Sequence, residues 1–310
     1  MGQSGGGDVH RGEPPRVSLI MPAWRPRPDW LRVAVASALE EPDCEVELLV
    51  VDDGSPTPVA ELLADVEDPR VAVIRVEHGG VSRARNAGIA GATGDFFRFI
   101  DADDAYQPGS TARLVQLCSG KSLAMAYGAT VFCDENLRPL WKMTSSLEGR
   151  VEQQALLGRF FIRPQSVLFT RGLVERTGEW DPSFTVSEDW DYLVRALELA
   201  PVRGHRRPAT FYRRHRGAAT DDVTAGAAGA RLVVERYFDR HPERRDGLQR
   251  AVSAMLHATQ ARAYALNGQP FRAAASAARA LLLDPAAPAA EARQALPAAR
   301  GYIRRSLTPR

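Results

Sequence analysis

Lysine is nearly missing from this chain: Lys121 and Lys142 are the only two, so arginine carries almost all the positive charge. Arginine favours bidentate contacts to phosphate and carboxylate, although a bias spread over a whole chain also follows from genome composition. Cysteine is almost as scarce. Cys44, Cys118 and Cys133 are widely spaced, and no pair has metal-ligand spacing. This excludes a disulfide framework and a zinc site on paired thiols, and an odd count suits reduced cytosolic cysteines. No run approaches about 18 apolar residues, so no transmembrane helix is expected. Met1 to Arg16 is glycine-rich and polar, without the apolar stretch of a signal peptide; residues 1–15 read as a disordered tail. Charge of one sign is not in excess either. A net +2 excludes a dedicated nucleic-acid binder.

What is present describes a globular protein: 310 residues, 45% hydrophobic and 25% charged, enough for one large domain or two modest ones. Short apolar runs alternate with amphipathic stretches from Val17 to Asp101. Val17 to Met21 reads as a strand stopped by Pro22, followed by a helix from Asp29, as N-cap, to Leu39. Glu47 to Val51 and Val71 to Val76 are further strands, with a short helix at Val59 to Leu63 between them. A helix from Ser82, as its cap, to Thr93 precedes the strand Phe96 to Ile100. Such alternation predicts an α/β fold with a mainly parallel sheet covered by helices on both faces. Residues 125–141 read as irregular strand or hairpin, Ser166 to Phe169 as a strand, Arg171 to Thr177 as a helix and Ala209 to Tyr212 as a last strand. Ser187 opens a helix with Trp190, Leu193, Val194 and Leu197 on one face. From Ala225 the composition turns to Ala, Arg and Leu. Leu232, Val233, Tyr237 and Phe238 share a helical face, and Asn267-Gly268-Gln269-Pro270 separates two Ala-rich helices in a tetratricopeptide-like hairpin. The expected division is 1–15 tail, 16–220 α/β domain and 225–310 helical region.

Ligands of open α/β sheets bind beyond the C-terminal ends of the strands, and each such end here carries chemistry. The first ends in Pro22-Ala23-Trp24, which offers backbone groups and an aromatic face. The second ends in Asp52-Asp53-Gly54-Ser55, where a carboxylate can accept from a nucleobase N–H. Arg83, Arg85 and Asn86 lie near the positive end of the next helix, a favourable place for phosphate. The fourth strand delivers Asp101-Ala102-Asp103-Asp104, oxygen ligands suited to a hard divalent cation that bridges carboxylates to phosphates. Each motif alone has an ordinary explanation: an acidic turn, a solvated strand end, surface helix charges. In this order they can hold a base, a diphosphate and a metal.

The ordered set resembles glycosyltransferase family 2, inverting nucleotide-sugar enzymes of the GT-A fold. The resemblance covers about 17–216. It is carried by Val17 to Pro22, Val50 to Ser55, Gly80 to Gly88, Phe99 to Asp104 and Ser187-Glu188-Asp189-Trp190-Asp191, the last resembling an acceptor-site motif. The resemblance implies that Pro22 and Ala23 line the nucleoside, Asp53 binds the base edge, and Arg83 or Arg85 with Asn86 holds the nucleotide. It implies that Asp101, Ala102 and Asp103 form an Asp-x-Asp motif, with Asp103 the direct ligand of Mn²⁺ or Mg²⁺. Asp189 is the implied general base, with Glu188 and Trp190 at the acceptor. Family members often carry Tyr-Asn where this chain has Trp24-Arg25, so the contacts of Trp24 are open. His215 matches a position that contacts metal or diphosphate; a plain basic loop explains it equally. His78 reads as a loop residue.

The expected function is transfer of a sugar from a nucleotide donor, a UDP-sugar foremost, to a hydroxyl of a saccharide, glycolipid or natural product. The expected setting is cytoplasmic, with peripheral membrane contact open through Arg304-Arg305. Two rivals remain: a non-catalytic nucleotide-sugar-binding scaffold, and a sugar nucleotidyltransferase. The latter usually has a Gly-rich basic loop where this chain has Pro22 to Pro26. The sugar, acceptor and oligomeric state are not encoded in any recognisable motif.

Overall fold

The computed structural model describes residues 14–160, 162–215 and 223–289. The apolar runs form one nine-stranded sheet of β1 (Arg16–Ala23), β2 (Glu45–Asp53), β3 (Val71–Val76), β4 (Phe96–Phe99), β5 (Ala105–Tyr106), β6 (Met125–Cys133), β7 (Pro139–Met143), β8 (Val167–Thr170) and β9 (Val202–Arg213). The order is β3-β2-β1-β4-β8-β6-β9-β5, with β7 on β6. The first four strands are parallel. Their crossovers, which parallel pairing demands, are α1 (Pro28–Leu39), α2 (Val59–Leu62) and α3 (Val81–Gly91). β8 runs antiparallel to β4 and β6, and β6 and β9 are again parallel.

Alternation along β1 divides the core between the two faces of the sheet. Val17, Leu19 and Met21 pack with Leu31, Ala34 and Val35 of α1 and with Leu114 and Val115 of α4 (Ser110–Cys118). Ile20 points the other way, into Phe97, Phe99 and Phe169 and the helices α5 (Glu152–Leu156), α6 (Arg171–Thr177) and α7 (Glu188–Leu199). Each such side chain contributes about 2 kcal/mol by leaving water. α3 approaches that face at Gly88, where a Cβ would come 2.5 Å from Ile20 Cγ2.

α8 (Val223–Arg240) adds Val233, Tyr237 and Phe238 to the same core, with Leu232 at its margin. α9 (Arg245–Leu266) and α10 (Pro270–Leu283) form the hairpin expected around Asn267-Gly268, joined by Ala254, Ala258, Ala280 and Ala287. No helix among the described residues is long and apolar enough to cross a membrane. Most of the expected tail, and Arg304-Arg305, lie outside the described residues.

Several expectations need correction. Pro22 does not stop β1, which runs on to Ala23 beside Val51 and Asp52. β4 pairs with β1 only up to Ile20, so Pro22 sits where one neighbour has ended and a missing N–H is tolerated. Asp29 is not the cap of α1. Arg27 holds that position and Asp29 lies in the first turn. Ser82 is not a cap either: Gly80 precedes α3 and Ser82 is buried in it. The last strand is longer than expected, because Val202 to Gly204 already pair with Met125 to Tyr127.

Candidate active site

The turn after β2 is held from within. Asp52 accepts from the amides of Ser55 (2.8 Å) and Val59 (3.1 Å) and pairs with Arg75, which anchors the start of α2. Burial raises the Asp52 pKa, but these donors outweigh it and the net shift is downward. Asp53 accepts from the amides of Gly79 (2.8 Å) and Gly80 (3.0 Å), and His78 Nδ1 lies 2.9 Å from its Oδ2. Its carboxylate is 4% exposed and grips the 78–80 loop instead of presenting a bare edge to a base. Trp24 is 48% exposed and stacks on His78, with centroids 4.8 Å apart and planes 16° from parallel. Pro22 and Ala23 are buried beneath that turn.

The turn after β4 is different. Oxygens of Asp101, Asp103 and Asp104 lie within 4.8 Å of one another. Asp101 accepts from Arg85 (3.1 Å) and from Gln165 Nε2. Asp103 Oδ2 is 2.9 Å from His215 Nε2, and Arg213 Nε donates to the Asp103 carbonyl. Asp104 accepts from the Arg213 amide through Oδ1, while its buried Oδ2 has no partner among the described residues. Burial pushes the Asp104 carboxyl well above the usual carboxylate range, and the charges of Asp103 and Asp101 add to it. Burial raises Asp101 too, more than Arg85 lowers it, with Asp103 adding to the rise. Three crowded carboxylates with an orphaned oxygen are a donor set that fits a hard divalent cation.

The N-terminus of α7 faces this turn. Ser187, just before it, has φ +70°, a conformation side-chain-bearing residues rarely adopt. α8 packs against it so closely that a Cβ on Gly229 would lie 2.6 Å from Ser187 Oγ. Glu188 pairs with Arg85 at 3.1 Å, so one buried guanidinium bridges Glu188 and Asp101. Burial raises the Glu188 pKa, and Asp189 adds to the rise against Arg85. Asp189 accepts from the Trp190 amide (2.8 Å) and lies 3.6 Å from Arg163. Burial works against the Arg163 charge, but Tyr212, Asp189, Asp104 and Asp101 raise its pKa on balance. The acids after β4 and at α7 therefore converge on Arg85 and Arg163.

Other expected residues face elsewhere. The Asn86 amide both donates to the Trp180 carbonyl and accepts from the Trp180 N–H, so it fastens a loop. Arg85 is 2% exposed and committed to acids, whereas Arg83 is exposed alongside Gly79. Trp190 packs against the core and donates Nε1–H to the Ala155 carbonyl. Ala102 is partly buried between the aspartates. Sequence reasoning missed Arg163 and Gln165, and met Arg213 only as part of the basic segment that ends in His215. The signal was there: Arg163-Pro164-Gln165-Ser166 interrupts an otherwise apolar stretch from Phe160 to Phe169.

Comparison with known proteins places this arrangement among relatives. The family model described as Glycosyl transferase family 2 matches residues 18–176. The succinoglycan biosynthesis protein ExoW of Rhizobium meliloti is 37% identical over 98 residues, which are 30% of this chain and 31% of that protein. ExoO of the same organism is 27% identical over 198 residues, covering 59% of this chain and 56% of its own length. The chain spans about a third or less of the first curated relatives it matches. Among solved structures, residues 1–349 of Staphylococcus aureus TarS, in complex with UDP-GlcNAc, superpose with a TM-score of 0.57 at 14% identity. The match covers 87% of this chain and 91% of that one. At that identity the likeness speaks to the fold, the GT-A arrangement of a central sheet flanked by helices.

Proposed function

This chain belongs to glycosyltransferase family 2, and from that premise we propose that it transfers a sugar from a nucleotide-sugar, foremost a UDP-sugar, to an acceptor hydroxyl with inversion. The observation that carries the reading is the convergence of the acids after β4 and the acids of α7 on buried Arg85 and partly buried Arg163. The TarS complex with UDP-GlcNAc supports a nucleotide-sugar donor on this fold.

Asp101 and Asp103 would hold Mn²⁺ or Mg²⁺, with the orphaned oxygen of Asp104 behind them and His215 beside Asp103. A bound divalent ion would stabilise negative charge growing on the leaving diphosphate. The nucleoside would lie at the Pro22-Ala23-Trp24 turn, against the exposed ring that His78 backs. Asp53 serves that end through the 78–80 loop, and Arg83 is the arginine placed to reach phosphate. Asp189 accepts the proton of the attacking hydroxyl, oriented by the Trp190 amide and flanked by Arg163 and Glu188. One base and one displacement invert the anomeric carbon without a covalent intermediate. These roles fall within residues 16–220. α8, which packs on that domain, braces Ser187 through Gly229, and the setting is cytoplasmic.

A thermal-shift screen of nucleotide-sugars with and without Mn²⁺ tests the reading, since a ligand that binds the native state raises its stability by mass action. Stabilisation by at least one donor, larger with Mn²⁺, is expected, followed by release of the nucleoside diphosphate when acceptor is added. A chain that no donor stabilises under either condition would end the proposal.

A further inference from the structure

Three aromatic rings stand in one row across the far half of the sheet. The register pairs Phe132 of β6 with Trp141 of β7 on one side and with Tyr212 of β9 on the other, and such partners project from the same face. Phe132 and Trp141 stack with centroids 4.7 Å apart and planes 10° from parallel. Tyr212 lies 5.1 Å from Phe132. Phe132 is buried, whereas Trp141 and Tyr212 are partly exposed. An arginine closes each end, Arg163 at 4.9 Å over the Tyr212 ring and Arg214 at 5.9 Å over the Trp141 ring.

The row begins at the candidate site. Arg163 also lies 3.6 Å from Asp189, and Arg213, next to Tyr212, binds Asp104 and the Asp103 carbonyl. Arg163 thus links Asp189 to the Tyr212 end of the row. None of the roles assigned to the transfer uses Trp141 or Arg214. Burying Phe132 does not require its neighbours to keep apolar surface at water, and partly exposed aromatics are the usual lining of sites that take ring-shaped ligands. A guanidinium stacked on an aromatic ring is held in plane, where its fork suits bidentate binding of carboxylate or phosphate.

We propose that this row is the acceptor subsite and that it takes an acidic saccharide: sugar rings lie along Tyr212 and Trp141, and a carboxylate or phosphate substituent pairs with Arg214. The inference rests on the transferase reading above for its direction of reaction, but the binding itself can be measured without turnover.

The test is a glycan array carrying uronate-bearing, phosphorylated and neutral oligosaccharides, probed with the full chain. Acidic members should be retained roughly tenfold better than their neutral counterparts. Comparison of uronates with phosphorylated sugars identifies which anion the site takes. Trp141→Ala should lower retention roughly tenfold and Trp141→Phe should restore most of it, because a ring is kept. Arg214→Gln should remove the preference for acidic members, and Arg214→Lys should keep part of it. An array without signal, equal retention of neutral glycans, or unchanged binding by Trp141→Ala would each overturn the proposal. A Mn²⁺-dependent stabilisation by a UDP-sugar, measured on the same preparation, separates that result from failure of the donor reading.

Discussion

Asp52 and Asp53 at the end of β2 are as deeply buried as Asp104 after β4, yet the two turns treat their charge in opposite ways. Asp52 and Asp53 commit their oxygens to the amides of Ser55, Val59, Gly79 and Gly80, with Arg75 and His78 beside them. After β4, Asp104 keeps an oxygen without a partner. Around it Arg85, Gln165 and Arg213 each leave one buried polar atom unmatched among the described residues. A buried polar group without a partner costs about 1–3 kcal/mol, a cost that a ligand binding at this turn would relieve. The first turn is part of the framework. The second has a donor set that could hold a metal ion.

Removing a carboxylate from the incomplete turn should have the largest effect. Asp103→Ala is expected to cost about a thousandfold in turnover and to abolish the Mn²⁺-dependent part of donor stabilisation. Retained metal dependence would erase the distinction between the turns. Asp189→Asn should lower transfer by about a hundredfold or more while donor binding in a thermal-shift assay is unchanged; full transfer would remove the base assignment. Arg85→Met leaves the partly buried Asp101 and Glu188 without their shared buried cation and should cost about 2 kcal/mol of stability, read as a lower urea midpoint. An unchanged midpoint would mean that these acids need no counter-charge.

The smallest effect belongs to the completed turn and depends on pH. Burial raises the Asp52 pKa, but its hydrogen-bond donors lower it further. A carboxylate lowered on folding adds stability above its unfolded pKa and loses it as pH falls through the folded value. Asp52→Asn should therefore cost about 2 kcal/mol at neutral pH, and the gap to the wild type should close below about pH 4. A gap that stayed constant down to acid pH would show that the hydrogen bonds matter and the charge does not.

Much of this arrangement was legible in the chain. Alternating apolar runs located β1 to β4, and the acids after β4 and before Trp190 marked the strand and helix ends that meet. The helix caps were misread because Arg27 and Gly80 occupy positions where the local sequence offered Asp29 and Ser82, and capping depends on backbone geometry that composition does not reveal. The loop contact of Asn86 was not legible for a related reason. Its partner, Trp180, is 94 residues away, and an amide near a helix N-terminus has the same sequence signature whether it binds a phosphate or a loop. Arg163 and Gln165 escaped notice because a polar side chain in an apolar stretch has meaning only once the acids it meets are known.

The order of residues along the chain determined the family, the class of sheet and which carboxylates could take part in chemistry, because periodicity and strand-end motifs are local. Only the tertiary structure decided which of those carboxylates are spent on the framework and which are left wanting a partner. That distinction is a balance of long-range hydrogen bonds, burial and neighbouring charge, and it exists only after distant segments have packed together.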